Sequence, residues 1–182
     1  MSPSKVRVPT VMQKSTLVDD MLRGLASLPL TSLEAFQGDA RDAAAAESFL
    51  RRALEALLDL GRHILGKGLG ERALESKQVA LALRRAGVLD EARGDILFDM
   101  AGYRNRLTHF YDEVTTAELF TICAQRSAEI RQVATPCWPG CAGTRSLSTA
   151  SSDDVSYVTC RGGGRRARPR YRPCSRRPPP SA

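Results

Sequence analysis

Six small or aliphatic residues, Ala46, Leu50, Ala53, Leu57, Leu60 and Ile64, recur at spacings of 4, 3, 4, 3 and 4. At about 100° per residue this draws one apolar stripe down a helix. A chain with such a stripe must cover it with another helix at a shallow crossing angle, and the two alanines permit close approach. The predicted helix spans about residues 40–66, capped by Asp39 and stopped by Gly66, Gly68 and Gly70. Before it, residues 14–27 carry Leu17, Met21, Leu22 and Leu25 at helical spacing, and Pro29 ends that run. Thr31 or Ser32 caps a short helix through Phe36. A further helix over 71–86 turns Leu74, Val79 and Leu83 inward and ends at Gly87. Asp90 caps a helix over 91–112, and the last, over 115–133, presents Leu119, Ile122, Cys123 and Ile130. Period-2 apolar alternation is absent. The expectation is an all-α fold, an antiparallel bundle of four to five helices.

Charge divides the chain. Residues 135–182 hold nine Arg against Asp153 and Asp154, which accounts for the whole net charge of +7. Residues 1–134 are neutral, so an electrostatic argument for nucleic-acid binding applies to the tail alone. The expected organisation is a disordered lead over 1–13, a helical domain over 14–134 and a disordered basic tail over 135–182 rich in Arg, Pro, Ser and Gly. Three readings of the tail stay open: an arm that binds RNA backbone, an unstructured tail with no evolved role, and a GC-rich gene read out of frame. No apolar run approaches the roughly 18 residues of a membrane span. Residues 1–14 lack the apolar core of a secretory signal, and only Cys123 of the five cysteines lies in the helical body. A cytoplasmic, reducing location is expected.

Chemistry concentrates in Met100-Ala-Gly-Tyr-Arg-Asn-Arg-Leu-Thr-His-Phe-Tyr111. On an ideal helix with Arg104 at 0°, Thr108 falls at about 40°, Asn105 at about 100° and His109 at about 140°. The expected polar sector runs from Arg104 to His109. Ile96, Met100, Tyr103, Leu107 and Phe110 form the opposite, packing side, with Tyr111 on the border. An imidazole that titrates near neutrality and a permanently charged guanidinium suit metal-free phosphodiester cleavage. His109 is the candidate acid or base, Arg104 the phosphate clamp, and Asn105 an orienting group. One helix supplies one imidazole, so a two-fold dimer would complete the pair. The bland reading is that Arg and His five apart arise by chance, with His109 only favouring the helix C-terminus.

This segment resembles the characteristic stretch of the HepT-like toxins, a branch of the HEPN superfamily. Their motif is Arg, four to six residues, His, any residue, Tyr, filled here by Arg104, His109 and Tyr111, with Asn105 at the polar position after the Arg. Arg52-Ala-Leu-Glu-Ala-Leu-Leu-Asp-Leu-Gly-Arg-His63 is similar to the family's long second helix, and Leu83-Arg-Arg-Ala-Gly-Val-Leu89 to its next turn. The resemblance spans about residues 14–134. It implies a homodimeric, metal-independent endoribonuclease toxin that cleaves RNA without a cofactor. It also implies a minimal nucleotidyltransferase antitoxin, which can adenylylate the motif tyrosine, here Tyr111. The alternative is a non-catalytic helical partner subunit of that nucleotidyltransferase. The tail has no counterpart in the family.

Other signals are weaker. His63 and Asp59 sit one turn apart, too few for a metal site, and read as a solvated helix-face pair. Gly66-Lys67-Gly68-Leu69-Gly70 lacks the spacing of a phosphate loop. Glu55 points away from the Leu57/Ile64 stripe and is a candidate to face the cleft.

Overall fold

The computed structural model of the chain describes residues 6–73, 75–109, 114–134 and 157–158. The striped helix is its centre. It spans Ala40–Ile64 (α3), and the Asp39 carboxylate caps it by accepting the Arg41 backbone N–H at 2.9 Å. All six stripe residues are buried. So are Leu54, Ala56, Leu58 and Gly61, which spreads the buried surface over most of the helix's circumference. Five further helices pack on it: α1 (Val8–Ala26), α2 (Leu33–Gln37), α4 (Ser76–Arg85), α5 (Glu91–His109) and α6 (Thr116–Ala134), with α1 its most extensive neighbour. The all-α bundle expected from the sequence is the fold.

Three boundaries differ from expectation. First, α1 begins at Val8, inside the stretch assigned to a disordered lead over 1–13. Pro9 suits a first helical turn, where its missing N–H has no intrahelical partner to lose. Val11, one turn on, is buried in the common core. The Arg7 N–H donates to His63 Nε2 at 3.3 Å, tying the entry of α1 to the far end of α3.

Second, the glycine run does not stop α3 at Gly66. The chain widens into a single π turn, Leu65–Leu69, and ends at Gly70 with φ 69° and ψ 15°. Leu65 is fully buried and Leu69 packs against the core, so apolar anchors carry the helix onward. Only at Gly70 does the backbone turn left-handed, where a residue without Cβ is favoured. Third, α4 starts at Ser76 rather than at 71. Val79 and Leu83 are buried as expected, while Leu74 lies outside the described residues.

The sequence showed no strand, yet Val6–Arg7 (β1) pairs antiparallel with Tyr157–Val158 (β2). Valine and tyrosine tolerate extended backbone well. Apart from these two residues, the expected disordered tail lies outside the described residues. On α6, Cys123 is buried, and burial pushes its thiol pKa up to about 12. No described helix is long and apolar enough to cross a membrane.

The α3–α4 contact turns on Gly61. A Cβ there would lie 2.6 Å from Val79 Cγ1 and 3.0 Å from Leu83 Cδ1, so the helices approach closer than any side chain allows. Gly61→Ala is expected to destabilise the fold by about 1–3 kcal/mol despite alanine's better helix propensity. Thermal unfolding checks this, at roughly 2–4 °C per kcal/mol for a chain of this size.

The half-buried imidazole of His63 gives a pH-dependent signature. Burial first, then the charges of Lys67, Arg7 and Lys14, hold its pKa below the ordinary value. The unfolded chain therefore takes up this proton more readily than the folded one. Stability is full above the unfolded pKa of roughly 6.5 and is lost as pH falls below it. The melting temperature is expected to drop from mildly alkaline to mildly acid pH, and less so in His63→Gln. An equal drop in that variant would assign the effect to other groups.

Candidate active site

The residues of interest lie on the C-terminal half of α5. The helix is started by the Asp90 carboxylate, which accepts the Arg93 N–H at 2.8 Å. Its buried residues are Gly94, Leu97, Met100, Ala101 and Leu107. Around the wheel these fall at about 80°, 20°, 320°, 60° and 300° from Arg104. The packed arc is thus centred close to Arg104 itself. This overturns the expected polar sector beginning at Arg104, although Met100 and Leu107, assigned to the packing side, are buried as expected. The reason is that α3, α4 and α6 all press on α5, and the small residues Gly94 and Ala101 admit close neighbours on that side. Tyr103 and Ile96, assigned to the packing side, are only half-buried.

Arg104 keeps its charge within the packed arc because a partner meets it there. Its Nε donates to Glu55 Oε2 on α3 at 2.5 Å, and Nη1 donates to Asn105 Oδ1 at 3.3 Å. The Arg104 side chain is 19% exposed. Glu55 therefore meets the motif arginine from α3. Its other oxygen lies 3.9 Å from Arg62, which also pairs with Asp59 at 3.1 Å and donates to Ser76 Oγ at 3.5 Å. Lys14 of α1 closes the row with Asp59 at 2.9 Å. Asp59 is thus held by two cations, and His63 accepts from backbone; the pair forms no dyad.

Beside this row lies a pocket of about 410 Å³ lined by Arg62, Glu75, Ser76, Lys77, Arg104, Asn105 and His109. The structure brings Arg104, Asn105 and His109 together in it within one protomer, although about 140° separates the first and last around their helix. The pocket bridges that angle because the first turn of α4 forms the opposite wall. The positive end of the α4 dipole lies at this wall, and Glu75, at its N-cap, makes no side-chain capping bond. His109 is exposed at the rim. Tyr111 lies outside the described residues. Among the described residues, no cluster of three or more His, Cys, Asp or Glu has the arrangement of a metal site.

A family model for HepT-like ribonucleases matches residues 19–136, about two thirds of the sequence. The chain belongs to the HepT-like ribonuclease family. Solved structures share its fold. One is a toxin–antitoxin crystal structure with AMP-PNP, at 17% identity, covering 69% of this chain and 95% of that one with a TM-score of 0.62. A second is the tri-AMPylated HEPN toxin of Shewanella oneidensis in complex with MNT antitoxin, at 18% identity, 69% and 93% coverage and a TM-score of 0.63. A third is YutE from Bacillus subtilis, described as a cytosolic protein of unknown function, at 17% identity, 71% and 87% coverage and a TM-score of 0.60. No curated protein matches the chain.

The HepT-like motif residues were legible in the sequence, whereas Arg62, Ser76 and Lys77 were not singled out. Arg62 left a trace, since Glu55, Asp59 and Arg62 form a polar row at spacings 4 and 3 on the helix that carries the apolar stripe. Lys77 left none, because only the turn after Gly70 brings α4 to the pocket. Glu55→Ala is expected to cost on the order of 1 kcal/mol, since both partners keep water contact that offsets part of the loss. Chemical denaturation checks it, and a loss above about 3 kcal/mol would mark the pair as dry and buried.

Proposed function

We propose that this chain is the ribonuclease toxin of a toxin–antitoxin pair and cleaves RNA without a metal ion. The observation that carries the reading is the convergence of Arg104, Asn105 and His109 in one pocket on a helix within the HepT-like match. The ribose 2′-hydroxyl attacks the adjacent phosphorus as a base removes its proton. The bond to the 5′-oxygen breaks as an acid protonates the leaving group. His109 fills one of these roles. Arg104, aligned by Glu55 and Asn105, stabilises charge on the phosphoryl oxygens, and Arg62 and Lys77 supply further positive charge. A homodimer that sets two such pockets across one cleft supplies the second imidazole.

The partner is a minimal nucleotidyltransferase. The structural neighbours include a HEPN toxin carrying AMP and bound to MNT antitoxin, which supports that partner for this chain. Adenylylation at Tyr111, two residues beyond His109, would bring bulk and a phosphodiester charge to the motif segment. That charge competes for Arg104 and closes the cleft to RNA. A second reading, a non-catalytic partner subunit, draws on the Arg104–Glu55 ion pair, which occupies the clamp with a carboxylate.

His109→Ala is expected to abolish RNA cleavage and growth inhibition with helicity unchanged, and Arg104→Ala to lower the rate about 10²–10³-fold. Normal cleavage with the same pattern in His109→Ala would remove the site assignment. Wild-type protein that cuts no RNA yet forms a stable complex with the nucleotidyltransferase would establish the second reading.

A further inference from the structure

Lys77 has a second face. On the side away from His109 it borders another pocket, of about 320 Å³, whose walls include Phe98, Tyr103, Arg106 and Arg126. We propose that this pocket is a nucleobase subsite, which holds a base of single-stranded RNA beside the phosphate bound at Arg104 and His109. The proposal rests on the ribonuclease reading for its link to cleavage, but its geometry stands separately.

The lining combines what an unpaired base requires. Phe98 and Tyr103 are half-buried aromatic rings, and each already carries a cation, with Lys77 Nζ 4.9 Å and the Arg106 guanidinium 5.8 Å from the ring centroids. Rings and guanidinium planes both stack on bases. The guanidinium groups are held in advance. Glu118 grips Arg106 through two bonds of 2.5 and 2.9 Å, and Arg126 is fixed by Glu129 at 2.7 Å and Asp99 at 3.4 Å. Little side-chain freedom is then lost on binding. Asp99 lines the pocket and, as a carboxylate, keeps acceptor sites for an exocyclic amino group.

The floor is Gly102. A glycine inside a helix costs about 1 kcal/mol against alanine. Close packing does not demand it here, since a Cβ would meet the Lys77 side chain at 3.5 Å from Cε and 4.0 Å from Nζ, ordinary contacts. What the missing side chain leaves is space in the pocket. Gly102 lies seven residues before His109, about 10 Å along the helix, with Lys77 common to both pockets. A strand threaded past Lys77 places a phosphate in one and a base in the other.

The test measures binding of a fluorescein-labelled, single-stranded, mixed-sequence oligoribonucleotide to the full-length His109→Ala protein, which holds RNA without cutting it. Phe98→Leu removes the π face and keeps apolar bulk; Gly102→Leu fills the floor. Each is expected to weaken binding about tenfold, equivalent to about 1.4 kcal/mol. In the His109-containing protein each is expected to raise KM with kcat kept. The same strand annealed to its complement is expected to be insensitive to both changes. Unchanged affinity in both variants, with helicity retained, overturns the subsite. So does an equal loss for the duplex, or a loss confined to self-association or antitoxin binding, which would mark a protein interface. Wild-type protein that cuts no RNA but binds the single strand in a Phe98-dependent way would overturn the ribonuclease chemistry and leave the subsite standing.

Discussion

A helix packed on most of its circumference has few places for charge, and α3 keeps one such row. Glu55, Asp59 and Arg62 share a half-buried face of a helix that is elsewhere largely buried and apolar, with Arg51 and Arg52 exposed to solvent. Each charge on that row must find a partner on another element, because an unpaired ion at a packed interface is costly. Lys14 meets it from α1, Ser76 from α4 and Arg104 from α5. The polar row adds a directional contact to three surrounding helices beside the close packing of the apolar stripe. Apolar contact tolerates sliding, whereas an Arg–carboxylate contact at hydrogen-bond distance does not.

The architecture was largely legible because α3 announces itself. Its stripe is long, uninterrupted and flanked by Asp39 and a glycine cluster, and tertiary packing reinforced that local preference. The same logic failed at the ends. Leu65 and Leu69 lie at apolar anchor points, so burial overrode the glycines and prolonged the helix as a π turn. At the N-terminus, six helical residues fell within the expected disordered lead, although Pro9 fits a first helical turn.

The site was legible by type and misread in orientation. Arg104, Asn105 and His109 stood out chemically, yet the wheel placed Arg104 at the edge of a polar sector. Gly94 and Ala101 carry almost no apolar signal, yet both are buried on the packed face, where a Cβ on Gly94 would meet the Arg84 side chain of α4 at 3.0 Å. A pattern search weights large side chains, whereas helix contact here depends on small ones. Lys77 was invisible for a different reason, since its role exists only where the α4 turn meets α5.

The Glu55 contact changes what an anion meets in the pocket. Arg104 arrives with its own counter-ion attached, oriented through Nε and one Nη1 hydrogen, so among the described residues Nη2 and the second Nη1 hydrogen are the donors left to offer. On the proposed ribonuclease reading, a phosphate entering the pocket would share Arg104 with its resident carboxylate. The salt dependence of RNA binding there would be shallower than a tally of Arg62, Lys77 and Arg104 implies, because Arg104 and Arg62 are already paired with Glu55 and Asp59 within the fold.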